Sequence, residues 1–246
     1  RAHPEVRFRF TSPHPKDFPD DLLRVLAEEP NACRSLHMPA QSGSSAVLEA
    51  MRRGYTRETY DDLISRVREL LPAAAISTDI IAGFCGETEE DHQQTLSLMR
   101  STRYDKAYMF AYSMREGTNA HRKLADDVPA EVKSRRLSEV IAVYDAGARE
   151  ANADEVGKRH RVLVEGLAKK DDGEWNGRTD NNRKVVFARK PLPAALGVAR
   201  EKEAAPGAYV DVRISESLSA NTLRAEPIAI SSITAFADPG ARHAQA

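Results

Sequence analysis

The segment AISTDIIAGFCGETEED, residues 75–91, decides the fold. Ala75 to Phe84 is a short, almost wholly apolar run without strict alternation, the pattern of a strand buried on both faces of a parallel sheet. Gly86 turns the chain, and Thr88 followed by Asp91 forms the N-cap signature of a helix that runs to about Ser101. Strand, glycine turn, capped helix is one βα unit, and the units on either side repeat it. Upstream, a helix from Thr56 carries Tyr60, Leu63, Ile64, Val67, Leu70 and Leu71 on one face until Pro72 stops it. Before it, a strand at Ser35–Met38 ends in the polar loop Gln41, Ser42, Gly43, Ser44, and Val47, Leu48 and Met51 recur at helical spacing. Earlier still, the β-branched and aromatic stretch Val6–Thr11, the Pro-rich turn Ser12–Pro15 and the face Phe18, Leu22, Leu23, Leu26 make a first unit. Downstream, Ala107–Tyr112 is a fourth strand, and Leu137, Val140, Ile141, Tyr144 and Ala148 stripe a long helix entered after Pro129. Strands alternating with helices imply parallel strands joined by right-handed crossovers, as in a barrel or an open doubly wound sheet.

Near residue 156 the pattern changes. Short strands at Arg161–Glu165, Lys184–Phe187, Tyr209–Ile214 and Leu223–Glu226, separated by Gly, Asn, Asp and Pro, predict a small β-barrel over residues 156–237. Pro191–Pro206 reads as an inserted loop and residues 238–246 as a frayed tail. The chain of 246 residues has a formal charge of −1, with 41% hydrophobic and 30% charged residues, so its overall charge selects no nucleic acid or membrane partner. The charge is unevenly placed, however. Residues 156–237 hold 14 Lys+Arg against 10 Asp+Glu, a net +4, whereas residues 1–155 hold 21 against 26, a net −5. No apolar run approaches the roughly 18–20 residues of a membrane span, and no membrane partner is expected. Two cysteines, Cys33 and Cys85, are too few for a disulfide framework or a structural zinc site. The chain opens on Arg1 with a strand already under way, which suggests a piece of a longer protein.

In parallel α/β folds functional groups gather at the carboxyl ends of the strands. Four such ends are Thr11–His14, His37–Ser45, Gly83–Glu87 and Tyr112–Thr118. The second offers His37, Gln41, Ser42 and Ser44 as donors and acceptors, with Gly43 open to close approach of a ligand; equally, Ser-Gly-Ser is a turn whose serine caps the next helix. The third pairs Asp79 with Glu87, either an acid/base couple or a core aspartate beside a loop glutamate. At the fourth, Tyr112, Ser113, Arg115 and Gly117 either clamp an anion or form a solvated turn. In the β module, Gly177 to Lys184 brings three cations and two amides to one hairpin, suited to phosphate and 2′-hydroxyl groups of looped RNA or simply to water. Trp175 either stacks on a base or plugs the barrel mouth.

Taken together, residues 37–44 (HMPAQSGS), 47–55 (VLEAMRRGY), 78–91 (TDIIAGFCGETEED) and 112–118 (YSMREGT) resemble the radical S-adenosylmethionine tRNA methylthiotransferase family. The likeness runs through about residue 228 and is strongest to the eukaryotic mitochondrial branch. It implies an α/β chain that is the C-terminal part of a radical-SAM βα (TIM-like) barrel, residues 1–155, followed by a small all-β, OB-like TRAM barrel, residues 156–237, that binds RNA.

The resemblance further implies methylthiolation of carbon 2 of N6-isopentenyladenosine next to the anticodon, with S-adenosylmethionine and 4Fe-4S clusters as cofactors. The cluster motif CxxxCxxC is not in this chain, so its ligands are expected upstream, the isolated chain is expected to be inactive, and no residue is assigned to metal. Gln41, Ser42 and Ser44 resemble residues lining the S-adenosylmethionine pocket; Ile81 and Gly83 belong to the strand that packs on its adenine, and Tyr112 to the edge of the next strand. Asp79, Glu87 and Arg115 fall at motif positions to which no catalytic role is carried. The tRNA anticodon stem-loop is the implied partner, through Arg178, Asn181, Asn182, Arg183 and Lys184, and the implied location is mitochondrial, with the cytoplasm as the alternative. Two competing readings stand beside this one. The first is a non-catalytic module binding RNA or a regulator of a cyclin-dependent kinase. The second is a barrel hydrolase using Asp79 and Glu87.

Overall fold

The computed structural model describes residues 2–9, 11, 15, 18–169, 171–194 and 201–234. The first half contains α1 (Asp20–Glu28), β1 (Ser35–His37), α2 (Ser45–Ala50), α3 (Arg57–Leu70), β2 (Ala75–Ala82), α4 (Glu89–Thr102), β3 (Lys106–Ala111), α5 (Asn119–Lys123) and α6 (Ala130–Ala153). The strands form a parallel sheet in the order β1-β2-β3, with His37 opposite Ser77, Asp79 opposite Tyr108 and Ile81 opposite Phe110. Because side chains alternate across a sheet, this register sorts them onto two faces. Leu36, Ile76, Ile80, Ala107 and Met109 join the helices in one core that includes Tyr60, Leu63, Val67, Leu98 and Val140. The opposite face carries His37, Ser77, Asp79, Ile81, Lys106, Tyr108 and Phe110 and is half open, with Phe110 55% exposed.

The helix ends follow their sequence signals. Thr88 and Asp91 close a capping box on α4, Thr56 caps α3, and Ser44 caps α2. Where a strand over Val6–Thr11 is expected, the described residues show a single parallel bridge, Phe8 with Ala32, and Phe10 lies outside the described residues. β2 stops at Ala82, two residues short of expectation, because Gly83 takes a left-handed φ of 78°. The one-turn α5 carries no apolar stripe, which is why periodicity misses it.

The second half is a closed barrel of β4 (Arg159–Ala168), β5 (Asp171–Arg178), β6 (Lys184–Ala188), β9 (Tyr209–Ser219) and β10 (Thr222–Ser231), in the order β10-β6-β5-β4-β9. All neighbours are antiparallel except β6 with β10. Closure removes free sheet edges. Two-residue strands β7 (Pro191–Leu192) and β8 (Lys202–Glu203) pair within the stretch read as a loop. The expected tail, residues 238–246, lies outside the described residues. β5 is the strand missed from sequence, since DDGEWNGR has acids and glycines where strands favour β-branched residues. It holds its place through Trp175, buried with Val162, Val185, Phe187, Val212 and Leu223, and through Gly177, where a Cβ would stand 2.2 Å from the Leu163 carbonyl. Trp175 is therefore part of the barrel core, with the Arg189 guanidinium 5.0 Å over its ring.

The turn from α6 to β4 is fixed by Glu155, which accepts from His160 Nε2 at 2.6 Å and Lys158 Nζ at 3.1 Å. Burial pushes this carboxyl up, but the His160 hydrogen bond and charge, with Arg183 and Lys158, outweigh it and hold the group down at about 2. A depressed carboxylate adds stability above its unfolded pKa and loses it as pH falls through the folded value. Between about pH 4.5 and pH 2, Glu155 is therefore expected to cost the fold roughly 3 kcal/mol, judged from the size of the shift. Denaturant midpoints measured across that window check this: Glu155→Gln flattens the profile, and an unchanged profile refutes the assignment.

Candidate functional site

The loop after β1 is held from beneath. Tyr60 donates to the Met38 carbonyl at 2.8 Å, Tyr55 to the Pro39 carbonyl at 3.0 Å, and the Thr78 hydroxyl accepts from Ala40 N–H at 2.9 Å. Gln41 then continues the ladder to β2: its N–H donates to Asp79 O at 2.8 Å and its carbonyl accepts from Ile81 N–H at 2.9 Å. Its φ of 68° is uncommon for a residue with a side chain and marks a conformation imposed by its surroundings. Gln41 and Ile81 are half-buried at the carboxyl edge of the sheet, where the Tyr112 N–H continues β3 by donating to the Ala82 carbonyl at 2.8 Å.

The serines of this loop serve the fold. Ser42 and Ser44 are 1% exposed. Ser42 Oγ lies 3.3 Å from Thr95 Oγ1 and accepts from Ser44 N–H, while Ser44 Oγ donates to Asp91 at 2.5 Å and caps α2. Gly43 is a close approach between backbones: a Cβ there would stand 2.5 Å from the Gln94 carbonyl. Of the two readings of Ser-Gly-Ser, the geometry shows the capping turn in these hydroxyls and in Gly43. They lock the loop to α4.

The glycine loop after β2 is clamped from α6. Gly83 N–H donates to Glu87 Oε1 at 2.9 Å, and Arg136 Nη1 reaches Glu87 O and Oε1 at 2.9 and 3.0 Å. Burial raises the Glu87 carboxyl above its ordinary value despite these donors. The Lys133 stem fills the space a Cβ on Gly83 would need, its ammonium pairs with Asp126, and it lies 5.3 Å from the Tyr112 ring. Tyr112 packs edge-on to Phe84 at 4.8 Å, and burial together with its Cys85 contact pushes its phenol up to about 12. Glu87 and Asp79 do not form a couple. Glu87 faces Arg136 behind the loop, and Asp79 lies on the open face 3.5 Å from His37 Nε2.

On the open face, residue-by-residue reading singled out His37, Asp79 and Ile81 but missed Ser77, Lys106 and Tyr108 beside them. His37 Nδ1 lies 3.0 Å from Ser77 Oγ, its ring meets Tyr108 edge-on at 5.9 Å, and the Lys106 ammonium stands 5.0 Å over Tyr108. The period of two along three paired strands carries that information once the register is known.

The barrel sits at the other end of the sheet. Arg183 binds Asp105 at 2.5 Å and also Asn152; Asn152 donates to Ser219 O at 2.8 Å, and Arg34 N–H reaches Asp180 at 3.4 Å. Arg7 adds bonds to the carbonyls of Arg178 and Arg161 at 2.9 and 2.8 Å. Arg183, expected among the RNA-contacting residues, is thus turned toward the sheet and engaged there. Arg178 bonds Asn182 and lies 3.4 Å from Glu165, Asn181 accepts from Thr179, and Lys184 has no ion pair among the described residues. Asp105 precedes β3, so the hairpin meets the amino edge of the sheet. Gln41, Gly83 and Tyr112 lie at the carboxyl edge, about 20 Å away along β2 at roughly 3.3 Å per residue.

An iron–sulfur cluster needs converging cysteine thiolates. Cys85 is buried with Val47 and Phe84, and Cys33 lies near Asp180, its thiol pushed up to about 11 by burial and then by that carboxylate. Neither fits a cluster. Glu89, His92 and Glu139 place ligand atoms within 4.8 Å of one another, but Arg135 bonds both carboxylates at 2.6 and 2.7 Å, making an ion-pair network of them. The carboxyl edge does fit an adenosyl group, since Ile81 and Phe110, paired on the open face, offer apolar surface there.

Residues 1–99 match the radical SAM superfamily, and residues 153–228 match the TRAM domain. Mitochondrial tRNA methylthiotransferase CDK5RAP1 of Homo sapiens is 52% identical over 224 residues, 91% of this chain and 37% of that protein. A CDK5RAP1-like protein of Oryza sativa subsp. japonica is 48% identical over 235 residues, covering 95% and 39% of the two chains. The tRNA-2-methylthio-N(6)-dimethylallyladenosine synthase of Phocaeicola vulgatus is 48% identical over 227 residues, covering 92% and 47%. The chain thus spans less than half the length of these relatives. The likeness takes in the sheet, the α6 connection and the closed barrel together: the chain carries a radical SAM match followed by a TRAM match and is similar, over nine-tenths of its length, to tRNA methylthiotransferases.

Proposed function

We propose that this chain forms the cofactor-edge and RNA-binding portion of an enzyme that adds a methylthio group to carbon 2 of N6-isopentenyladenosine next to a tRNA anticodon. The observation that carries the reading is one chain holding both an open sheet face with a rigid carboxyl edge and a closed cationic barrel fixed to the opposite edge. Gln41, Ile81, Gly83 and Tyr112 hold S-adenosylmethionine, whose chemistry in this family supplies the reactive radical. Ser42, Ser44, Glu87 and Arg136 act beneath them, keeping the two loops in place. Arg178, Asn181, Asn182 and Lys184 contact the anticodon arm, while Arg183 fastens their hairpin to the sheet. The cluster ligands come from parts of the polypeptide outside these 246 residues, and the similarity to mitochondrial relatives supports a mitochondrial location.

The test is complementation. Cells lacking their own methylthiotransferase receive the full-length polypeptide that contains this chain, and tRNA digests are read by mass spectrometry. Wild type is expected to restore the methylthio nucleoside, and Gly83→Val, which drives a branched side chain into Lys133, to abolish it. Restoration at wild-type levels by Gly83→Val removes the cofactor edge from the proposal. Failure of the wild type, when it is expressed and folded, removes the activity.

A further inference from the structure

A cleft of about 260 Å³ lies between the barrel and the amino edge of the sheet. Its walls come from both domains: Lys106, Tyr108 and Asp105 from the sheet side, Arg178, Arg183 and Lys184 from the hairpin, with Asn181, Asn182 and Asn221 completing a polar rim. Four cations face one carboxylate, and that carboxylate is already taken by Arg183. Lys106 and Lys184 have no ion pair among the described residues, and Arg183 Nε is buried without a hydrogen-bond partner. The cleft thus holds positive charge that the protein itself does not neutralise. Its volume is below the roughly 300–1,000 Å³ of a whole small-molecule site, which suits a phosphate and its sugar better than an entire cofactor.

A second observation gives the ligand a direction. β3 is the edge strand of the sheet, and its open face presents Lys106, then Tyr108, 43% exposed, then Phe110, 55% exposed, leading away from the cleft toward Tyr112. Cations beside exposed aromatic rings are what flexible nucleic acid strands require: charge for the phosphates and a π-face for bases of any sequence. Tyr108 is steadied for this by the Lys106 ammonium on its ring and by the edge of His37.

We propose that this interdomain cleft seats one nucleotide of a looped RNA, with its phosphate between Lys106 and Lys184 and its base or sugar against Tyr108, so that the strand passes from the barrel onto the edge of β3. The inference rests on the RNA reading above and adds to it a contact from the α/β half. RNA is then gripped across both domains, and the Arg183 link to Asp105 sets the width of the grip.

The experiment is a titration of a fluorescent anticodon stem-loop with the full chain as salt is raised. Lys106→Ala and Lys184→Ala are each expected to weaken binding several-fold and to make the slope of log K against log salt shallower by about 0.7, the value for one phosphate that the protein no longer neutralises. Tyr108→Leu is expected to weaken binding without changing that slope, and Lys123→Ala, on exposed α5, to change nothing. Lys106→Gln, which keeps most of the stem, is expected to match Lys106→Ala, showing that charge rather than local unfolding is responsible. If Lys184→Ala and Arg178→Ala weaken binding while both Lys106 variants behave as wild type, the barrel binds RNA alone and the cleft inference falls. If none of these variants differs from wild type, or wild type does not bind, the RNA reading falls with it. Inorganic phosphate displacing the stem-loop at concentrations equal to it assigns the cleft to free anions and overturns the proposal.

Discussion

Replacing Arg183 with methionine is expected to remove about 2–4 kcal/mol and to separate the unfolding of the two halves of the molecule. Arg183 bonds Asp105 at 2.5 Å and also reaches Asn152, the residue through which the end of α6 holds the Ser219 carbonyl. The side chains of Arg183 and Asp105 are only 11% and 15% exposed, so removing the guanidinium leaves a carboxylate largely out of water. That penalty is tempered because Asp105 also accepts from Ile76 N–H at 2.9 Å and has Arg68 at 4.0 Å. The hydrogen bond and ion pair from Arg183 are strong polar links in an interface that also holds contacts from Arg7, Arg9 and Arg34, the Tyr144–Asn221 bond at 3.3 Å and the Glu5 carboxylate on the Ile233 and Thr234 N–H groups, and modest interfaces between domains permit relative motion by default. The chain has one tryptophan, Trp175, buried in the barrel, so its fluorescence follows the barrel while far-UV circular dichroism is dominated by the helices of the other half. In urea the two signals are expected to fall together in the wild type and apart in Arg183→Met. Coincident transitions with an unmoved midpoint in the variant would show that Arg183 does not couple the domains.

How much of this is legible in the sequence depends on how far apart the interacting residues lie. β2, α3, α4 and α6 are readable because their signals are local: the apolar run at Ala75–Ala82, the Thr88 and Asp91 capping pair, the stop at Pro72. The barrel is readable as a class, but β5 is not, since what makes Asp171–Arg178 a strand is pairing with β4 and β6 and the burial of Trp175. The same limit governs the site. That residues 41–44 and 83–87 form two loops at one sheet edge follows from the βα order. That Ser44 is spent on Asp91 follows only from α2 meeting α4, and the turn of Arg183 toward Asp105 only from the way the barrel docks. The family resemblance identifies segments more securely than individual contacts, because a motif preserves residues that shape a loop together with those that touch a ligand. Here Ser42, Ser44 and Glu87 are of the first kind by their geometry.

That distinction is sharpest at Arg136, whose replacement by methionine is expected to cost about 3–5 kcal/mol at neutral pH. Arg136 and Glu87 are 5% and 2% exposed in their side chains, and without the guanidinium the Glu87 carboxylate keeps the Gly83 N–H as its remaining close donor. Burial already raises the Glu87 carboxyl in the wild type, and losing its cation raises it further. A carboxyl with a raised folded pKa contributes stability that is complete below its unfolded value and is lost as pH rises through the folded one. The deficit of Arg136→Met is therefore expected to be largest near neutrality and to narrow as pH falls toward about 4.5, where protonation relieves the buried charge. Because the penalty is that of an unpaired charge, Glu87→Gln in the same chain removes its source while its amide oxygen can still accept from Gly83 N–H. The double variant is accordingly expected to recover most of the loss, although each residue was a member of the pair. Denaturant unfolding of wild type, Arg136→Met and the double variant at both pH values measures all three terms. A double variant as unstable as the single, or a deficit that grows on acidification, would mean that α6 packs on the Gly83–Gly86 loop through shape alone and that the Glu87 charge has no part in holding the cofactor edge.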